Sequence, residues 1–415
     1  MRRTIASAFA AMAVASPAAI KHEKSEGMRR MRYGMVGGGE GAFIGAVHRA
    51  AAAITGKLEL VAGAFSSDAD RARRSGGDIG VPPGRAYGSY AEMMERERAL
   101  PAAARMEFVA IVTPNNVHAP VAIAAMEAGF AVLCDKPLAD TLEAGLAMAD
   151  AAARTGRLLG ITHTYTGYPM VKQARALVAG GAFGAVRRVA VSYTQDWLSR
   201  AADTKANKQA QWRTDPARSG EAGAFGDIGT HAFNLVEYIS GERIVRLCAE
   251  LHAAIAGRAL DDDGMALFHL AGGGRGTLAA SQVCSGDANA LAVSIYCDEA
   301  GLHWAQEQPN ALRVKRRDKP EEIWTPGSNR AYLAPEALAA ARIPAGHPEG
   351  YLEAFANIYA AFAQDVASGR PSAHPGYATI EDGLAAMRFL RAARLSSERG
   401  TAWIDLAGIE GDKAP

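Results

Sequence analysis

Between Arg32 and Thr162, short continuous apolar runs alternate with helical patterns, and no other feature of the chain constrains its fold as much. The runs are Arg32–Val36, Leu58–Phe65, Phe108–Val112, Phe130–Cys134 and Leu158–Thr162. Helical patterns follow them at His48–Ile54, Ala69–Ser75, Tyr90–Ala99, Val117–Ala128 and Thr141–Thr155. A strand that is apolar at nearly every position must be covered on both faces, so this alternation predicts βαβ units and a parallel sheet between helices. Ligands of such sheets sit beyond the C-terminal strand ends. Polar residues gather there: Ser66-Ser67, Thr113-Pro114-Asn115, Asp135-Lys136-Pro137 and His163.

The first run opens into Gly37-Gly38-Gly39-Glu40-Gly41-Ala42-Phe43-Ile44-Gly45. Strand, glycine turn and helix point backbone N–H groups and a helix N-terminus at a pyrophosphate, and a Cβ would block that approach. Gly37 and Gly39 fit the first two fingerprint positions. Ala42 takes the third, or Gly45 does if the loop is three residues longer, and Phe43 and Ile44 fall in the same turn. The end of the second run selects the cofactor. Ser66, Ser67 and Arg71 suit the 2′-phosphate of NADP, whereas Asp68 suits the ribose hydroxyl of NAD; the balance leans to NADP. Ser66 and Ser67 are equally good residues for the start of the next helix.

After His163 the period changes. Ala185–Gln195, Ile244–Ala256, Gly264–Ala271, Gly276–Val283, Leu291–Asp298 and Leu312–Arg317 alternate apolar and polar residues, with turn signals such as Gly272-Gly273-Gly274 between them. Successive strands without helices predict an open, largely antiparallel sheet. Helices are expected at Tyr351–Ala367 and Thr379–Arg394, and a surface loop at Ser199–Gln211. The fold class is therefore α/β plus α+β: a Rossmann-type domain over 31–163, then a substrate and oligomerisation domain over 164–415.

A chain of 415 residues, 49% hydrophobic, supports two cores. A formal charge of +1 gives no field for nucleic acid, and the absence of a long apolar run after the N-terminus gives no membrane span. Cys134, Cys248, Cys284 and Cys297 lack ligand spacing, so neither a metal site nor a disulfide framework is expected. Residues 1–30 form a tail. Arg2-Arg3 before an Ala-rich stretch read either as a weak twin-arginine export signal or as a tail ahead of a start at Met28 or Met31. A cofactor recycled in the cytoplasm favours the second reading and a cytoplasmic protein.

Cys134-Asp135-Lys136-Pro137, Thr113-Pro114-Asn115-Asn116-Val117-His118, Trp212-Arg213-Thr214-Asp215-Pro216 and Gly226-Asp227-Ile228-Gly229-Thr230-His231 together resemble the Gfo/Idh/MocA oxidoreductase family. The resemblance runs from about Met31 to the end of the chain. It implies a nicotinamide cofactor and a sugar, inositol or polyol substrate. It also implies a homodimer or homotetramer, with the free face of the second sheet as the contact. Lys136 matches the lysine of the family's E-K-P motif, which touches substrate and nicotinamide; Asp135 replaces the usual Glu. Asp227 and His231 match its D-x-x-x-H, while Asn234 stands where an aspartate is common.

Hydride transfer needs a base for the hydroxyl proton and a group that stabilises the alkoxide. His231 suits the base and Lys136 the polarising cation. Asp227, four residues earlier, is expected on the same helical face, orienting the imidazole. Tyr165, Trp212 and Arg213 are expected at the substrate, with Tyr168 and His347 as weaker candidates. Two other functions fit the chain: an NAD-dependent glycosidase of the same superfamily, and a non-enzymatic NAD(P) sensor. The second has no need of a proton-transfer pair.

Overall fold

The computed structural model describes residues 29–200 and 208–410. Arg2, Arg3 and Met28 lie outside them. The first half runs β1 (Met31–Gly37), α1 (Phe43–Ile54), β2 (Leu58–Ala64), α2 (Ala69–Ile79), α3 (Tyr90–Ala99), β3 (Phe108–Val112), α4 (His118–Glu127), β4 (Ala131–Cys134), α5 (Leu142–Thr155) and β5 (Leu159–Ile161). Every residue of β3, β4 and β5 is buried, as continuous apolar strands require. These five strands are parallel, in the order β5-β4-β3-β1-β2.

The second half contains α6 (Pro169–Ala179), β6 (Val186–Thr194), α7 (Lys208–Arg213), α8 (Pro216–Ser219), α9 (Thr230–Ser240), β7 (Ile244–His252), β8 (Asp263–Leu270), β9 (Arg275–Ser281), β10 (Ala290–Cys297), β11 (Ala300–Ala305), β12 (Leu312–Arg316), β13 (Glu322–Trp324), α10 (Pro335–Ala340), α11 (Tyr351–Ser368), β14 (Ala378–Thr379), α12 (Ile380–Glu398) and β15 (Ile404–Asp405). Nine strands form one sheet in the order β13-β12-β11-β10-β6-β9-β8-β7-β15. All neighbours are antiparallel except β6 and β9. Its inner face buries Val189, Val191, Phe268, Leu278 and Ile295. The opposite face leaves Met265 and Leu267 about half exposed.

Several bounds differ from the sequence expectation. Helix α2 runs past Gly76-Gly77 to Ile79, because Asp68 caps its start and Gly80, at φ 86°, ends it. Strand β7 stops at His252, where the Asp262 carboxylate accepts from the N–H groups of Ala254 and Ile255 and turns the chain. The expected loop before Arg213 is helical from Lys208; residues 201–207 lie outside the described ones. Strands β11, β13, β14 and β15 and helices α6, α8 and α10 are additional.

The C-terminal part returns to the first sheet. Strand β14 pairs antiparallel with β5. Helix α11 buries Phe355, Tyr359 and Phe362 against Tyr33 and Phe108 of the parallel sheet and His48 of α1. Each buried ring contributes about 1.5–3 kcal/mol. Arg391 of α12 donates to both carboxylate oxygens of Glu143 on α5, at 2.7 and 2.8 Å, and to Glu221. The strand ends that carry the polar residues face the second half, where Lys136 reaches Asp227.

Candidate active site

The glycine turn joins β1 to α1. A Cβ on Gly45 would lie 2.3 Å from Cα of Gly38 and 2.5 Å from its carbonyl oxygen, so the helix packs on the turn only because residue 45 is glycine. Gly45 thus has the packing role of a third fingerprint glycine, and Ala42 is the N-cap of α1. A Cβ on Gly39 would meet the carbonyl of Phe65 at 2.6 Å. No side chain caps α1 and no acidic residue sits in its first turn. Its N-terminal amides and positive dipole end are thus free for an anion, and this cradle fits a dinucleotide pyrophosphate. Phe43 is 70% exposed at the mouth of the turn, and Ile44 is half-buried behind it.

At the end of β2, Ser66 Oγ accepts from the Asp68 N–H at 3.1 Å. Asp68 Oδ1 accepts from the Arg71 N–H at 2.7 Å. Asp68 is thereby occupied as the cap of α2, while Ser67 and Arg71 are exposed beside it.

Two expected cofactor residues have structural work instead. His118 is fully buried with Nδ1 2.9 Å from the Pro137 carbonyl and Nε2 3.0 Å from that of Thr113, so its ring ties the ends of β3 and β4 and touches no cleft. Burial lowers its pKa, opposed by the Asp135 charge and the carbonyls of Pro137 and Thr113. Asn115 donates to the Ser219 carbonyl at 2.8 Å, fixing α8 over the strand ends beside Thr113 and Pro114. Asp135 also turns inward. Thr162 Oγ1 donates to it at 2.7 Å and His48 Nε2 lies 3.8 Å away. His48 in turn meets Tyr359 Oη through Nδ1 at 2.7 Å. Burial alone would raise the Asp135 pKa, but His48, Lys136 and Thr162 hold it well below the carboxylate range.

Lys136, joined to Pro137 by a cis peptide bond, projects from β4 to Asp227. Its Nζ donates to Asp227 Oδ1 and to the Asp227 carbonyl, both at 2.7 Å. Two of the three ammonium protons are used, leaving one donor. The other carboxylate oxygen of Asp227 accepts from Arg213 Nε at 3.1 Å and Gln282 Nε2 at 2.9 Å. Burial opposes ionisation of Asp227, yet Arg213 and Lys136 hold its pKa far below the usual range. The Arg213 guanidinium also stacks on Trp212 at 4.3 Å and lies 5.8 Å from the Trp197 ring.

Asp227 makes no hydrogen bond to His231. Phe225–Gly229 forms a π-helical turn and α9 begins only at Thr230, so the two residues do not share one regular helical face. Asp227 acts on His231 only through its field, which raises the imidazole pKa against burial, Lys136 and His163; the net shift is well downward. His231 is therefore a neutral imidazole near pH 7.

Around it stand Tyr165 at 4.8 Å, His163 at 5.4 Å and Tyr193 at 6.2 Å between ring centroids. Tyr193 Oη donates to Asn289 Oδ1 at 2.6 Å, and Gln195 Nε2 to the same atom at 2.8 Å. Gln282 reaches Gln195 at 3.2 Å, closing a polar chain from Asp227 to the tyrosines. Sequence reasoning gave Gln195, Gln282, Asn289 and Tyr193 no role; their one signal is that they stand at or near the same end of β6, β9 and β10. Tyr168 packs on Trp304. His347 is exposed and bonds the Pro344 carbonyl at 3.1 Å, away from the site.

An uncapped glycine-turn helix above a parallel sheet, facing an ion-paired lysine and a neutral histidine, defines a two-domain dehydrogenase that works with a nicotinamide dinucleotide on CH–OH groups. Residues 31–163 match the oxidoreductase family with an NAD-binding Rossmann fold, and residues 171–303 match the GFO/IDH/MocA C-terminal domain. An uncharacterized oxidoreductase, YfiI, of Bacillus subtilis is 31% identical over 90% of this chain and 96% of its own. An oxidoreductase structure from Sinorhizobium meliloti is 42% identical, with TM-score 0.82, covering 91% of this chain and 100% of that one. An inositol dehydrogenase homologue from Azotobacter vinelandii, solved with NAD+, is 34% identical with TM-score 0.86, covering 91% and 98%; it is also solved with NADH and myo-inositol. The chain belongs to the Gfo/Idh/MocA family of oxidoreductases.

Proposed function

We propose that this protein transfers a hydride between a nicotinamide dinucleotide, NADP in preference to NAD, and one carbon of a sugar, inositol or related polyol. The observation that carries the reading is Lys136: it is clamped on Asp227 with one ammonium proton left, beside an imidazole that is neutral at pH 7. Residues 31–163 hold the cofactor through Gly37, Gly39, Gly45, Ser66 and Arg71, and residues 164–415 supply the substrate side. When bound, the nicotinamide supplies the hydride acceptor or donor. Lys136 donates to the substrate oxygen and stabilises negative charge as it develops. His231 removes the hydroxyl proton in oxidation and returns it in reduction. Asp227 holds Lys136, while Tyr165, Trp212 and Arg213 shape the wall against which the polyol lies.

The A. vinelandii homologue binds myo-inositol beside NADH, which supports a cyclic polyol as the first substrate to try. The NADP preference rests on Ser66 and Arg71, with Asp68 engaged as a cap. The decisive experiment titrates NADPH and NADH separately by fluorescence, then screens polyols and ketoses by absorbance. Tighter NADPH binding that weakens about tenfold in Arg71→Ala, with NADH unaffected, supports the preference. Equal binding of both cofactors overturns it, and binding of neither overturns the dinucleotide site. The same reading places self-association, as a dimer or tetramer, on the outer face of the nine-stranded sheet around Met265 and Leu267.

A further inference from the structure

His231 has one ring nitrogen at the cleft and the other sealed behind it. Nδ1 is buried without a hydrogen-bond partner among the described residues. Nε2 is not sealed in this way, and the residue's 7% exposure leaves it the nitrogen that meets the cleft. Asp227 makes no hydrogen bond to Nδ1; its oxygens accept from Lys136, Arg213 and Gln282. Against this ring packs His163, 1% exposed, its ring 5.4 Å from that of His231 and perpendicular to it at 89°. Both its nitrogens are likewise buried and without partners among the described residues. Buried polar atoms are paired as a rule, and three orphaned ring nitrogens on two touching imidazoles at a reacting centre point to a functional link.

We infer that His163 is the positioning residue of His231, joined to its Nδ1 by a hydrogen-bonded link that one water completes, and that it fixes the Nδ1–H tautomer. This rests on His231 as the proton acceptor. A neutral imidazole offers a lone pair at Nε2 only when Nδ1 carries the hydrogen, and the bond made by Nδ1 sets that choice. His163 suits the task because it stays neutral: burial first, then the charge of Lys136, lowers its pKa to about 4. The groups facing the pair are Lys136, Asp135, Asp227, Asp382, Tyr165 and Tyr193. In oxidation the substrate proton moves to Nε2, and Nδ1–H continues to donate to His163 as His231 becomes cationic.

The test compares His163→Phe, which keeps a flat ring against His231 but removes both nitrogens, with His163→Gln, which keeps an acceptor. The expected result is kcat lowered about tenfold or more in His163→Phe with KM within about threefold, and most of the loss recovered in His163→Gln. The acidic limb of the pH profile moves to lower pH in His163→Phe: His163 is uncharged near pH 7, so its loss removes the acceptor of the cationic ring and no positive charge. Unchanged kcat and profile in His163→Phe, or equal damage in both variants, overturns the inference. If the wild-type protein turns over no polyol, the functional reading has failed separately. Imidazole 15N spectra of the full chain with NADPH or NADH bound then decide. An Nδ1–H tautomer at His231 that changes in His163→Phe supports the link, and an unchanged tautomer overturns it.

Discussion

Lys136 and Asp227 are 13% exposed at their side chains, and each depends on the other. Removing one partner of a buried pair leaves an uncompensated charge. In the proposed mechanism Lys136→Met also removes the donor to the substrate oxygen, and kcat is expected to fall by about 10²–10³. Cofactor affinity, measured by fluorescence, should change far less. A second consequence concerns acid. The unfolded chain protonates His163 near its usual 6.5, the folded chain only near 4. Between these values the unfolded state binds the extra proton, so this contribution is complete above about pH 6.5 and is lost as pH falls towards 4, in all about 3 kcal/mol. Burial of His118 and His231 acts in the same direction. Thermal midpoints should fall across that window in the wild type and fall less in His163→Phe; equal slopes would contradict the assignment. At this scale the sequence motifs located Lys136, Asp227 and His231, which the fold brings into one cleft. They did not reveal which partner Asp227 chooses. That depends on Arg213 and Gln282, 14 and 55 residues away, and on a π-helical turn that four-residue spacing cannot distinguish from an ordinary helix.

Among the elements, α1 carries the most direct prediction. Gly45→Ala places a methyl group 2.3 Å from a backbone carbon, so the helix must shift away from the turn. NADH and NADPH affinity should both drop by more than about tenfold, with the two-domain fold retained in circular dichroism, because the strain is confined to the turn between β1 and α1. The parallel strands were legible because continuous apolar runs have few other uses. Strands β14 and β15, two residues each, carry no period to read, and their pairing is fixed by α12 between them. Helix α2 looked shorter than it is because Gly76-Gly77 mimic a stop; a Cβ at Gly76 would meet Ala86 Cβ at 2.4 Å, so the first glycine there serves packing.

On the scale of the whole molecule, the outer sheet face leaves Met265 57% and Leu267 51% exposed. Two large apolar side chains at neighbouring positions of one strand face are costly in water. Leu267→Lys should shift sedimentation towards the monomer without altering the active-site residues; a monomeric wild type would remove the self-association proposal.

The pairing of β14 with β5, and the seating of α11 on Tyr33 and Phe108, have a practical consequence for anyone who would re-engineer the enzyme. The nucleotide-binding half is not a cassette. Cut out at residue 163, it would lose the strand that closes one edge and the aromatic rings that cover one face, and would be left with a wet hydrophobic wall. On the proposed reading, changing which dinucleotide is used calls for point replacements between Ser66 and Arg71 in the intact chain. A transplanted domain would arrive without its own last strand.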